Sequence, residues 1–192
     1  MTKRQPIQGA REALILQRSN CVSGFLSRLW IIGRATTRAL DASGADGVVL
    51  ARAGQDLSQY GLRYSHLGFA YRDTWQGQSV WRVAHKLNHC GSADAALYRQ
   101  GLGEFFLDRP HRYEAAFVVL GADTQAKLLP LLRDNQRLAT WHTPRYNMLA
   151  YPWALTYQQS NQWAIETLAG ASDPAASSRS QAQASCSAAL AP

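Results

Sequence analysis

The sequence predicts an α+β domain, an antiparallel sheet with helices packed against it. Three observations carry that class. The runs 64–71 and 79–87 are rich in strand-forming residues and are joined by Asp73-Thr74-Trp75-Gln76-Gly77-Gln78, which has the length and glycine content of a hairpin connection. Further strand-like runs at 47–51 and 115–120 stand apart from the helical patterns instead of forming regular βαβ units. The chain has 192 residues, 46% hydrophobic and 17% charged, which is room for one domain with a real core. The expected organisation is a basic, weakly packed segment over 1–25, a single α+β domain over 26–170 and a disordered Ala/Ser-rich tail over 171–192.

Along the chain, apolar residues recur at spacings of three and four over 26–40, and Ser43-Gly44 supplies a stop, so this is a helix. Gly47-Val48-Val49-Leu50-Ala51 reads as a buried strand, and the glycine-containing loop 53–61 leads into the strand that carries His66. If the hairpin turn centres on Trp75 and Gln76, His66 and His85 fall opposite each other on one face; a slip of one residue would part them. Ser92 can cap a helix through Ala95, Ala96, Leu97 and Tyr98 that Gly101 ends. Asp123 can cap a helix over 125–132, kinked or divided by Pro130. The aromatic-rich stretch 141–157 reads as an extended wall on the sheet, and 159–168 as a helix stopped by Gly170. From residue 171 onward, 14 of 22 residues are Ala or Ser, a composition that buries too little surface to offset its ordering entropy.

The formal charge is +7, of which +6 lies in residues 1–38, leaving +1 on the remainder. The body of the domain therefore has no basic excess to follow a phosphate backbone, which argues against nucleic acid as a partner. Arg28 and Arg34 interrupt the apolar run that begins at Phe25, so no membrane span is expected, and an amphipathic helix is favoured over a targeting signal. Three cysteines, Cys21, Cys90 and Cys186, form no CxxC pair and no disulfide framework.

Two stretches carry candidate chemistry. Leu62-Arg63-Tyr64-Ser65-His66-Leu67-Gly68 puts one imidazole on a strand, and Tyr157-Gln158-Gln159-Ser160-Asn161-Gln162-Trp163 puts a hydroxyl among amides at a helix start. Ser160 as nucleophile, His66 as base and His85 as the group that orients the base form one reading, with Gln159, Asn161 and Gln162 as oxyanion or positioning groups. The plainer reading makes His66 a hydrogen-bonded core residue and Ser160 a helix cap, or places Ser160 inside a helix whose capping box is Thr156 with Gln159. His85, His89 and Cys90 supply three donors within six residues, but on a strand entering a loop they do not converge, so no metal is expected. No GxSxG elbow, phosphate loop or HExxH is present, and no cofactor is implied. Glu166 reads as a helix-surface charge and Asp73 as a turn residue.

Tyr64-Ser65-His66-Leu67-Gly68-Phe69-Ala70, Val83-Ala84-His85-Lys86-Leu87-Asn88, Gly101-Leu102-Gly103-Glu104-Phe105-Phe106 and the segment 157–166 together resemble the uncharacterised bacterial domain-of-unknown-function family 2145, over about residues 38–170. More distantly, the layout is similar to circularly permuted papain-like NlpC/P60 enzymes, in which a strand His precedes a polar residue on the next strand and a Cys comes last, at a helix start. His66, His85 and Ser160 stand at those three positions. The resemblance implies a papain-like fold, a hydrolase or acyltransferase acting on amide, ester or acyl bonds, a peptide, cell-wall or lipid-type substrate, and a periplasmic or cell-envelope location. Ser in place of Cys lacks the thiol's accessible pKa and nucleophilicity, which implies an inactive relative as the other outcome. A non-catalytic, envelope-associated binding module using Trp141, Tyr146, Tyr151 and Trp153 is the alternative. The Ala/Ser tail departs from the family pattern and reads as a truncation or frame shift after about Asp173.

Overall fold

A computed structural model describes residues 25–190 except Arg109 and Pro152. The expectation for the basic segment before Phe25 lies outside the described residues. Helix α1 (Phe25–Ser43) ends at Gly44, whose φ of 67° only glycine adopts without strain. Five strands follow, interleaved with short helices: β1 (Gly47–Arg52), β2 (His66–Trp75), β3 (Gln78–Asn88), β4 (Ala95–Gly101) and β5 (Ala115–Val119). They form one fully antiparallel sheet in the order β4-β3-β2-β1-β5. The helices are α2 (Leu102–Phe105), α3 (Ala122–Arg133), α4 (Asn135–Leu138), α5 (Ser160–Ser172) and α6 (Arg179–Leu190). The architecture is α+β, as the sequence predicts.

Side-chain alternation along each strand divides the core into two. On one face, Val48, Leu50, Ala70, Val83 and Phe117 pack against Leu29, Ile32 and Leu40 of α1 and Phe105 of α2. On the other, Phe69, Tyr71 and Ala84 pack against Leu128, Leu131 and Leu132 of α3 and Trp163 of α5. Helices therefore cover both faces of the sheet.

The hairpin is tighter than the pattern suggests. Trp75 pairs with Gln78, leaving a two-residue turn of Gln76 (φ 49°) and Gly77 (φ 76°). Positive φ at both positions matches the right-handed twist of the strands. The turn centres one residue later than expected, so the pairing shifts by two residues and both histidines stay on one face. Gly68 then lies opposite His85, where a Cβ would meet His85 Cβ at 3.0 Å.

Four local expectations are corrected. Residues 95–101 form β4, not a helix capped by Ser92, because pairing with β3 from Asn88↔Ala95 to Arg82↔Gly101 supplies hydrogen bonds along its length; tertiary pairing overrides local propensity. Gly101 caps the start of α2, and its N–H donates to Glu104 Oε2 (2.9 Å). Helix α3 is capped by Gly121 instead of Asp123, and Pro130 sits within it without dividing it. Gly170 does not stop α5: it lies inside, where a Cβ would come within 2.5 Å of Trp141, so its bare backbone makes room for that buried indole.

The fourth concerns residues 171–192. Their composition predicts a disordered tail, whereas in the structure α5 continues to Ser172 and α6 packs against it. Arg179, Ala182, Gln183 and Cys186 are buried. The apolar area on α6 is small; a polar network, described below, provides the attachment. Among the described residues, no helix is long and apolar enough to cross a membrane.

Candidate functional site

Antiparallel pairing places one residue from each of four neighbouring strands in a row on the α2 side of the sheet: Gln100 (β4), His85 (β3), His66 (β2) and Arg52 (β1). Arg52 pairs directly with His66 in the register, and Tyr98 with His85. Hydrogen bonds run along the row. His85 Nε2 is 2.7 Å from Gln100 Oε1, His66 Nε2 is 2.9 Å from His85 Nδ1, and His66 Nδ1 is 3.2 Å from Ser160 Oγ. The amide oxygen of Gln100 can only accept, so His85 carries its proton on Nε2. His85 Nδ1 is then an acceptor for His66 Nε2–H, and His66 Nδ1 keeps a lone pair for the Ser160 hydroxyl. Each proton in the chain points away from Ser160.

Burial enforces the neutral form of both rings. Desolvation, then the cationic Arg52, then His85 push His66 well below the ordinary histidine value. His85 is lowered to about 4, chiefly by desolvation, with the Gln100 hydrogen bond acting in the opposite direction. Phe105 closes the row from α2, its ring centroid 5.8 Å from His66 and 5.1 Å from His85. Ser160 and His66 are both buried, each 8% exposed, and Gln100 at the other end of the row is half-buried.

The start of α5 is stitched to β2 around His66. Gln159 is the N-cap, its side-chain oxygen accepting from Asn161 N–H (2.8 Å), so Ser160 is the first helical residue and its hydroxyl is not consumed by capping. Asn161 accepts from Leu67 N–H through Oδ1 (2.9 Å) and donates through Nδ2 to Ser65 carbonyl (3.0 Å). One amide thus clamps the backbone on both sides of His66. Gln162 turns away, donating to Glu166 Oε1 (3.0 Å) and Ala154 carbonyl (3.5 Å). Gln159 and Asn161 thus fasten the start of α5 to β2, and Gln162 joins a second polar cluster.

That cluster lies on the opposite face of the sheet. Glu166, 3% exposed, accepts from Arg179 Nε (2.8 Å) and Nη2 (3.3 Å), Gln158 Nε2 (2.5 Å) and Gln183 Nε2 (2.6 Å) as well as Gln162. It is not a helix-surface charge. Arg179 also donates to the carbonyls of Ala154, Leu155 and Tyr157 and to Thr143 Oγ1. Lys86 Nζ donates to Thr143 carbonyl (2.6 Å) and Gln158 Oε1 (2.9 Å). Burial, then repulsion from Arg179, lowers Lys86 to about 7 against the opposing pull of Glu166. The network holds the irregular segment that delivers Ser160 to β2.

Other candidates fall elsewhere. His85 faces His66, whereas Cys90 is exposed beyond β3, so His85, His89 and Cys90 share no centre. Of the aromatic wall, Trp141 is buried in the core and Tyr146 half-buried, while Tyr151 and Trp153 are exposed. An open groove of about 650 Å³, lined by Leu29, Trp30, Trp81, Leu102 and Leu107, lies against α1 and does not include Ser160.

Sequence reasoning missed Gln100, Arg52, Arg179 and the burial of Glu166. A correct strand assignment at 95–101 would have exposed Gln100 as the residue two strands from His66 on the same face.

Fold and site together define an α+β domain with a directed Ser-His-His-Gln hydrogen-bond chain where an antiparallel sheet meets a helix start. The chain belongs to the bacterial family described as "Uncharacterized protein conserved in bacteria (DUF2145)", whose model matches residues 39–189 and so runs through α6. Comparison with curated proteins and with solved structures returns no match.

Proposed function

We propose that this domain is a hydrolase or acyltransferase of papain-like chemistry, with Ser160 as nucleophile, acting on an amide, ester or acyl bond of a peptide, cell-wall or lipid-type substrate at the cell envelope. The directed chain from Ser160 through His66 and His85 to Gln100 is the observation that carries this reading. Ser160 Oγ attacks the substrate carbonyl carbon while its proton passes to His66 Nδ1. His85, fixed by Gln100, holds His66 in the tautomer that can accept that proton. The positive dipole end of α5 lies beside the developing oxyanion, with the Asn161 N–H already held by the Gln159 cap. Among the described residues no carboxylate stands behind His66, so the imidazolium formed in the reaction is stabilised less than in an Asp-backed triad. A slow enzyme, or an inactive relative preserving the geometry, follows naturally from that neutral relay. The exposed Tyr151 and Trp153 support the competing reading of a binding module.

Ser160→Cys decides between them. A helix start and an adjacent imidazole lower a thiol's pKa by one to several units from about 8.5. Iodoacetamide at neutral pH should alkylate the introduced thiol about tenfold faster than the exposed Cys90. Adding His66→Ala should remove most of that advantage. A thiol that reacts no faster than Cys90 and ignores His66 would leave Ser160 a packed polar group and favour the binding module.

A further inference from the structure

The row across the sheet has a fourth member that the nucleophile, base and orienter leave unused. Arg52 is 3% exposed, on the same face as His66 and directly paired with it across β1 and β2. Its guanidinium is held at two edges. Nη1 donates inward to the carbonyl of Phe105, and the Phe105 ring lies beneath it with its centroid 5.0 Å from Cζ. Nη2 donates outward to Asp108 Oδ2 at 2.8 Å. Nε, although buried, has no hydrogen-bond partner among the described residues.

A buried arginine is expensive unless its charge is matched within the same dry environment. Here the matching charge comes from a side chain that is 73% exposed. Asp108 thus covers the guanidinium from the solvent side as a single removable carboxylate, and beneath it lie an oriented Nη2 donor and an unpartnered Nε–H. Planar, two-donor presentation of this kind suits a carboxylate.

We infer that Arg52 is a substrate-recognition residue for a carboxylate group placed close to the bond that Ser160 attacks, with Asp108 occupying that position when substrate is absent. The inference rests on the reading of Ser160 as nucleophile and narrows its substrates to those bearing a free carboxylate beside the scissile carbonyl, such as a peptide with a terminal or side-chain acid.

The test uses the Ser160→Cys protein and two reagents of nearly the same size, neutral iodoacetamide and anionic iodoacetate. For each thiol the rate with iodoacetate is divided by the rate with iodoacetamide, and Cys90 in the same chain is the internal reference. The quotient at the introduced thiol should exceed that at Cys90 about fivefold at low salt. Asp108→Asn, a change at an exposed side chain, should raise it further by freeing the guanidinium edge. Arg52→Gln should bring it down to the Cys90 level. A quotient equal to that of Cys90, or one that Asp108→Asn leaves unchanged or lowers, overturns the assignment even if Arg52→Gln fails to fold. If the introduced thiol resists both reagents, the nucleophile reading and this inference fall together; fast reaction with iodoacetamide but no anion preference overturns this inference alone.

Discussion

His85 and Lys86 are neighbours on β3 and point to opposite faces of the sheet, each into a buried polar cluster. The clusters are built on different rules. Around Lys86 the groups are charged and multiply bonded, and Glu166 alone accepts from four side chains. Around His85 the groups are neutral and joined by single hydrogen bonds in one direction, from the buried hydroxyl of Ser160 to the half-buried amide of Gln100. A cluster in which each charged group is held by several partners serves as scaffold. A linear chain with one free end keeps a proton acceptor poised. Burial and perturbed pKa occur on both faces, so neither alone distinguishes them; the number of hydrogen bonds that each group makes does.

The largest expected effect breaks the multiply bonded side. Arg179→Ala leaves Glu166 buried without its counter-ion and removes the arginine's hydrogen bonds to the Leu155 and Tyr157 carbonyls, so urea titration should show a loss of about 3–5 kcal/mol. If the loss were below about 1 kcal/mol, α6 would not be the clasp described above. Gly68→Ala comes next. Its Cβ would press on His85 Cβ and Val83 Cγ1, both at 3.0 Å, and should cost about 1–3 kcal/mol while moving His85 away from His66. In a Ser160→Cys background it should also slow alkylation, which a purely structural glycine would not do.

Gln100→Ala sharpens the contrast from the other side. Stability should fall by only about 1 kcal/mol, since one hydrogen bond is lost. The His85 tautomer is then unspecified, and the reactivity of the Ser160→Cys thiol should drop several-fold for that reason. A reactivity unchanged by Gln100→Ala would mean that the chain ends at His85.

The smallest effects are in pH dependence, where the two faces separate. His85 and His142, both lowered to about 4, and His66, also held well below the ordinary histidine value, stay neutral in the fold, whereas the unfolded chain takes up protons below about 6.5. Their contribution is complete above pH 6.5 and is lost as pH falls towards 4. Lys86 sheds its proton in the fold near pH 7 but holds it in the unfolded chain up to about 10.5. The unfolded state therefore binds more protons between pH 7 and 10.5, and stability rises with pH across that window. Denaturation midpoints measured against pH should show His85→Phe flattening the acid limb and Lys86→Met the alkaline one.

Much of the His66 side was legible before any coordinates. Strand alternation and a glycine-containing turn put His66 and His85 on one face, and that conclusion survived a misplaced turn because the resulting shift was an even number of residues. Ser160 at a helix start was legible from the apolar periodicity that follows it. Gln100 was not, because Ala95-Ala96-Leu97-Tyr98 is short and apolar enough for either helix or strand and only pairing with β3 decides. The scaffold side was hidden for another reason. An Ala/Ser-rich segment was weighed by its apolar area, whereas its attachment depends on one guanidinium, and small residues let that group approach the core. Composition measures the first quantity and is blind to the second.

The chain order of Arg179 has a consequence for biosynthesis. All five strands, Ser160 and Glu166 leave the ribosome before it, and thirteen residues separate it from Glu166. At translation rates of about 5–20 residues per second, that interval is on the order of one second. During it the carboxylate of Glu166 meets only the amides of Gln158 and Gln162, and the carbonyls of Leu155 and Tyr157 wait for their guanidinium. The segment that brings Ser160 to His66 is therefore fastened only once Arg179 has been made, and completion of this face is timed by α6 instead of by the sheet.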